Sequence, residues 1–158
     1  MKPNGRGKPE SETPARTQLE RAADVLGSAG YYAYLHLDEQ NRWSVSIDTD
    51  DGHADVRLGG GVYVIDVWDT SPGLFWDEDD ERRFYARERR ARILVPTIAR
   101  SVAEPGQEVW WDDQDHGVGA RVQEFLDFDE SSALPRQILQ QFDELNRLLA
   151  EIERRLLD

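Results

Sequence analysis

The chain of 158 residues carries 32 Asp and Glu against 19 Lys and Arg, no cysteine, and a formal net charge of −13. That length suits one domain with a sizeable core, and the lack of thiols excludes disulfides, thiol catalysis and cysteine-ligated zinc. A body so acidic repels phosphate backbones and anionic membranes and favours cationic partners, so direct nucleic-acid binding and membrane binding are not expected.

Residues 1–12 hold Gly, Pro and Lys with no apolar run. They are expected to form a disordered tail, neither signal peptide nor anchor, ahead of a single α+β domain over 13–158. No segment approaches the ~20 apolar residues of a membrane span, so a cytoplasmic protein is the expectation. A first helix opens at Thr13-Pro14 or at the capping-box pattern Thr17-x-x-Glu20. It carries Leu19, Ala22, Ala23 and Leu26 on one face and stops at Gly27 or Gly30.

Strands come next. Tyr31, Ala33, Leu35 and Leu37 alternate with polar or aromatic neighbours, and Trp43, Val45 and Ile47 alternate with Ser44, Ser46 and Asp48. Asp51-Gly52 is a hairpin signal before Ala54, Val56 and Leu58. Val62 to Trp68 is apolar on both faces apart from Asp66, which places it in the middle of a sheet. Four antiparallel strands in a meander follow from this pattern.

Residues 77–103 read as one long helix, with Phe84, Ala91, Val95, Ile98 and Val102 on one face and Pro96 on the opposite, solvent side. Two more strands are expected, Val109 to Asp112 and Val118 to Phe128. A last helix runs from about Ser132. Its residues Ile138, Phe142, Leu145, Leu149, Ile152 and Leu156 form a heptad-spaced seam, widened by Leu139, Leu148 and Leu157. A helix packed on a sheet explains that seam better than a coiled coil. The predicted fold is α+β: an antiparallel sheet of about five to six strands with three helices, in the order α-β-β-β-β-α-β-β-α.

Chemical motifs are thin. Asp48-Thr-Asp50-Asp51-Gly52 resembles the start of a calcium loop, but Gly59 stands where a bidentate Glu belongs, and hairpin chemistry explains it better. His36, His53 and His116 show no metal-ligand spacing. Gly59-Gly60-Gly61 has no following Lys-Ser/Thr, and no G-x-S-x-G marks a nucleophile. No catalytic residue, metal or cofactor is therefore expected.

Two features look like recognition. Arg82, Arg83, Arg87, Arg89, Arg90 and Arg92, interrupted in charge by Glu88, make an island of +5 in an acidic chain. It reads either as a docking site for an acidic peptide or phosphate, with Arg83, Arg87 and Arg90 as candidates, or as a solvated face offset by Glu78→Arg82 and Asp79→Arg83 pairs. The second feature is Trp68 with the turn Pro72-Gly73-Leu74-Phe75-Trp76, which forms either a peptide-binding ledge or a lid on the core. Trp110 and Trp111 pose the same question, since adjacent strand residues face opposite ways.

The order of elements, with Leu26-Gly-Ser-Ala-Gly30-Tyr31 before the first strand and an amphipathic closing helix over 132–157, resembles the type III secretion chaperones and the related YbjN-like proteins. The resemblance rests on element order, size and acidity, and no functional residue is carried over from it. It implies a non-catalytic, chaperone-like module that captures a segment of another protein, and a homodimer. Such a dimer is expected to join through the seam around Leu145, Leu149 and Ile152 or through Leu74-Phe75-Trp76. The alternative is an acidic inhibitor or nucleic-acid mimic, with Asp77–Glu81, Asp112–Asp115 and Asp127–Glu130 lining one surface. An uncharacterised hydrolase stands behind both.

Overall fold

Four strands follow one another as a meander because a short turn of polar residues or of glycines closes each run. In a computed structural model, which describes residues 12–157, β1 (Tyr34–Leu37) pairs antiparallel with β2 (Trp43–Thr49), setting His36 opposite Ser44 and Tyr34 opposite Ser46. Asn41 takes a left-handed φ of 61° in the turn between them, a conformation that asparagine tolerates. β3 (Gly52–Leu58) and β4 (Val62–Ser71) complete the meander. After helix α2 (Glu81–Val102), β5 (Gln107–Asp112) and β6 (Gly117–Asp127) form an antiparallel pair. The result is one six-stranded antiparallel sheet in the order β1-β2-β3-β4-β6-β5. β4 lies inside it, as its two-sided apolar run requires, and Tyr63 to Val67 are all buried.

The remaining elements are α1 (Glu12–Ser28), 3₁₀ turns over Phe128–Ala133, and α3 (Leu134–Leu157). The expected disordered tail, 1–12, lies outside the described residues except for Glu12, with which α1 begins. Thr17 and Glu20 are therefore inside the helix and do not cap it. A proline in the first turn removes no helical hydrogen bond, so Pro14 permits this earlier start. No described helix is long and apolar enough to cross a membrane.

The chain divides into two compact units. The first comprises the described residues up to Thr49, with His53–Asp66 and Glu124–Leu139. Here α1 packs on β1, β2 and the 3₁₀ turns, burying Leu19, Ala22 and Leu26, with Val45 and Ile47 buried on β2. The hydroxyl of buried Tyr63 donates to the Gln18 carbonyl at 3.2 Å, and its ring meets Phe128 edge-on at 4.9 Å. Asp66, the acid within the buried run of the central strand, is neutralised by Arg57. A charge taken out of water needs such a partner.

The second unit comprises Asp50–Gly52, Val67–Gln123 and the residues from Gln140 on. α2 runs along β5, with Ala91 and Val95 buried. In α3, Gln141 Nε2 donates to the Val122 carbonyl at 3.1 Å and Glu153 accepts from Ser71 Oγ at 2.7 Å, which ties the helix to the strands. Phe142, Leu145, Leu149, Ile152 and Leu156 are buried, so the heptad-spaced seam is core and does not offer itself to a partner helix.

α2 starts at Glu81, with Asp80 as its N-cap accepting from the Arg83 N–H at 3.0 Å. Its start therefore falls four residues later than the expected 77, because a carboxylate placed there satisfies a free helix N–H and ends the non-helical segment. Pro96 is exposed on the side opposite Ala91 and Val95. Pro96→Ala is therefore expected to be neutral or stabilising, by up to ~3 kcal/mol, because it restores a helix hydrogen bond without disturbing packing. Urea unfolding of the variant checks this, and a marked loss of stability would mean that the proline ring packs on something.

Candidate functional site

The second unit gathers most of the recognition residues that the sequence singles out. Pro72-Gly73 turns the chain back, and Gly73 N–H and Leu74 N–H donate to the carbonyls of Asp115 and His116 at 2.8 and 2.9 Å. This pins the aromatic turn to the β5–β6 loop. Phe75 is driven inward and buried, stacking on Trp111 with centroids 6.0 Å apart. Trp76 lies over Gly73, whose missing side chain and φ of 63° make room for the indole, and stays 66% exposed. Leu74 is half-buried and Trp68 is exposed. The turn is thus neither wholly ledge nor wholly lid: Phe75 closes the core and Trp76 faces solvent.

Trp110 and Trp111 separate as adjacent strand residues must. Trp110 covers Gly119, where a Cβ would fall 2.3 Å from the indole, while Trp111 meets Phe75. The Trp111 indole N–H is buried without a partner at hydrogen-bonding geometry, though it adds a minor pull on Asp113. The main cause there is the Arg92 guanidinium, whose hydrogen bond holds the Asp113 carboxyl below its ordinary range.

The arginine island divides by role. Arg87 stacks on the Phe75 ring, 4.5 Å from its centroid, and lies 3.6 Å from Glu78. Arg92 pairs with Asp113 at 2.7 Å. Arg82, Arg83, Arg89 and Arg90 make no side-chain ion pair among the described residues. The expected Glu78→Arg82 and Asp79→Arg83 pairs do not form. Both acids precede the helix, so the four-residue spacing does not place them beside those arginines. Phe75, Arg87 and Arg90 do converge, lining with Ala91, Leu156 and Leu157 a cleft of about 170 Å³.

The outward face of α2 is the other part of this surface. Arg82, Ala86, Arg89, Ile93 and Arg100 recur at helical spacing opposite the buried stripe, and all are exposed. Ile93 is 71% exposed and Tyr85 51% exposed, so an apolar and an aromatic side chain stand among unpaired guanidinium groups.

Three polar networks were not legible as sites in the sequence. In the first unit, His36 Nε2 lies 2.6 Å from Ser46 Oγ and 3.1 Å from Ser44 Oγ, and Ser46 donates to Asp55. The hairpin register held the signal, since His36 and Ser44 are equidistant from Gln40. On the same strands, Asp48 accepts from the Tyr34 hydroxyl at 3.0 Å and pairs with His53. The His53 contact chiefly lowers the Asp48 pKa, and the bond to Asp48 raises that of Tyr34. In the second unit, Glu88 is buried on the apolar stripe of α2, 2.6 Å from His116 Nδ1. Its place four residues after Phe84 and three before Ala91 could have shown this.

The first of these networks is not arranged as an acyl-transfer triad. In the first, the carboxylate bonds to the serine rather than to the imidazole, and His36 Nδ1 lies 3.2 Å from the Leu37 carbonyl. An acyl-transfer triad needs the carboxylate on the histidine, orienting it as the base. Ser46 is also buried. No group of three or more His, Asp or Glu among the described residues is placed to hold a metal. Of the acids that mimicry would use, Asp112 accepts the Gln114 and Asp115 N–H groups and Asp113 holds Arg92, so both are engaged within the fold. No protein-family model matches the chain, and no curated protein matches it either.

Proposed function

We propose that the protein is a non-catalytic binding module that captures an acidic, partly apolar segment of another protein on the outward face of α2. One observation carries this reading. Arg82, Arg83, Arg89 and Arg90 stand unpaired around exposed Ile93 and Tyr85, on a chain whose net charge is −13. Tyrosine and arginine are the side chains that anchor interfaces, because both bring large contact area together with polar groups. Carboxylates of a bound segment would take the guanidinium groups while its apolar residues cover Ile93. The cleft beside Phe75 and Arg90 admits one further side chain. The surrounding acidity serves selectivity, since it repels any acidic segment not held by this island.

The test uses a labelled helical peptide of leucine and glutamate at alternating helical positions, followed by fluorescence anisotropy. Binding is expected at low salt and should weaken as salt rises. The double reversal Arg89→Glu with Arg90→Glu should reduce affinity by about tenfold or more, since each exposed charge contact contributes ~0.2–1 kcal/mol and reversal turns attraction into repulsion. A peptide with lysine in place of glutamate is attracted by the acidic body as a whole, so it should lose no affinity in the reversed variant. Equal binding by the reversed variant, or tighter binding of a single-stranded oligonucleotide than of the peptide, would overturn the reading.

A further inference from the structure

We infer that a second copy of this chain occupies the same face when no other partner does, an inference that rests on the reading of α2 as an acidic-segment dock. The segment from Trp76 to Ile93 is complementary to itself. Its first part, Trp76-Asp77-Glu78-Asp79-Asp80-Glu81, presents an exposed indole and acids, of which Asp77, Asp79 and Glu81 are exposed and make no ion pair among the described residues. Its second part, beyond Tyr85, presents Arg89, Arg90 and exposed Ile93, while Arg82 and Arg83 stand on the acidic side of Tyr85 and leave that side net negative. Exposed Tyr85 lies between them.

Two copies related by a two-fold axis present the same patch to each other, with the chains running in opposite directions. With Tyr85 of each copy at the axis, Glu81 of one faces Arg89 of the other, each four residues from the centre. At 1.5 Å per residue, Ile93 lies about 12 Å from the axis. Trp76 and the acids before the helix extend to that end of the patch. Acid therefore meets base twice, and two exposed apolar groups, Ile93 and Trp76, gain cover at each end.

The contact is short and the copies are both strongly acidic, so the dimer is weak and dissociates in high salt, where screening shortens the reach of each pair to a few ångströms. Self-pairing also hides the arginines, so it competes with partner capture. The heptad seam of α3 has no part in it, because that seam is buried.

Sedimentation equilibrium of the full chain at moderate salt tests the inference. The wild type should associate with rising concentration, and Glu81→Arg and Arg89→Glu should each weaken association by about tenfold. The doubly exchanged variant, Glu81→Arg with Arg89→Glu, should associate as the wild type does. Far-ultraviolet circular dichroism confirms that each variant is folded. Adding the acidic leucine–glutamate peptide should return the wild type to monomer. A wild type that stays monomeric at every concentration, or an exchanged pair that fails to restore association, overturns the inference. A monomer that still binds the peptide through Arg89 and Arg90 leaves the proposed function standing; a monomer that binds no peptide ends both.

Discussion

Gly117→Ala is expected to destabilise the protein by about 3 kcal/mol or more, because among the described glycines it has the closest approach to other backbone atoms. A Cβ on Gly117 would lie 1.7 Å from the Ser71 carbonyl oxygen, 2.7 Å from its carbon and 3.1 Å from Pro72 Cα. All three are backbone atoms, so no side-chain rotation relieves the overlap. The backbone itself is held in place, because Gly73 N–H and Leu74 N–H donate to the carbonyls of Asp115 and His116 just before this glycine. The end of β4 and the start of β6 would have to separate, breaking those bonds and loosening the turn that buries Phe75. Gly60→Ala is the control: nothing lies within 4 Å of its Cβ, and its effect should be small. Urea unfolding compares the two. A loss below about 1 kcal/mol for Gly117→Ala would show that the strand ends move apart freely.

What the sequence revealed, and what it hid, follows from the range of the interactions. Periodicity is local, and it was enough to place the α2 stripe, the α3 seam and the two-sided strand β4. The two opposite faces of α2 were equally readable, since 100° steps put Pro96 away from Ala91. The sequence leaves the start of α2 ambiguous because Asp77 to Glu81 all suit a first helical turn, and only the Asp80 cap decides between them. The aromatic turn was undecidable because the bonds that fold Phe75 inward come from Asp115 and His116, about forty residues later. Arg87 and Arg90 could be named from the run of charge. That Arg87 would be engaged by Phe75 and Glu78, leaving Arg89 and Arg90 free, depends on that same fold-back. The His36–Ser46–Asp55 network crosses three strands, so it needed the register of two hairpins at once.

The Glu88–His116 pair supports the second major expectation, that His116→Ala costs about 2–4 kcal/mol while Glu88→Leu costs much less. Glu88 is 5% exposed on a helix face otherwise made of Phe84, Ala91 and Val95, so its carboxylate depends on the imidazole 2.6 Å away. Removing one member of a buried pair leaves an uncompensated charge, a loss of ~3–5 kcal/mol when both are fully buried. The His116 side chain is 39% exposed, so water offsets part of that loss, and the lower end of the range applies. Glu88→Leu removes the charge itself and leaves an imidazole that water can still reach. The double variant should therefore be close to Glu88→Leu, with a coupling of roughly 2 kcal/mol between the sites. His116 also holds a φ of 55°, which any replacement other than glycine inherits. That backbone strain is present in both His116 variants and cancels in the cycle, so the coupling reports the contact between Glu88 and the imidazole. Urea unfolding of the four proteins measures it. Additive losses would mean that Glu88 finds its compensation elsewhere, and that the loop before β6 is held to α2 by the Phe84–His116 ring contact, at 5.9 Å, rather than by charge.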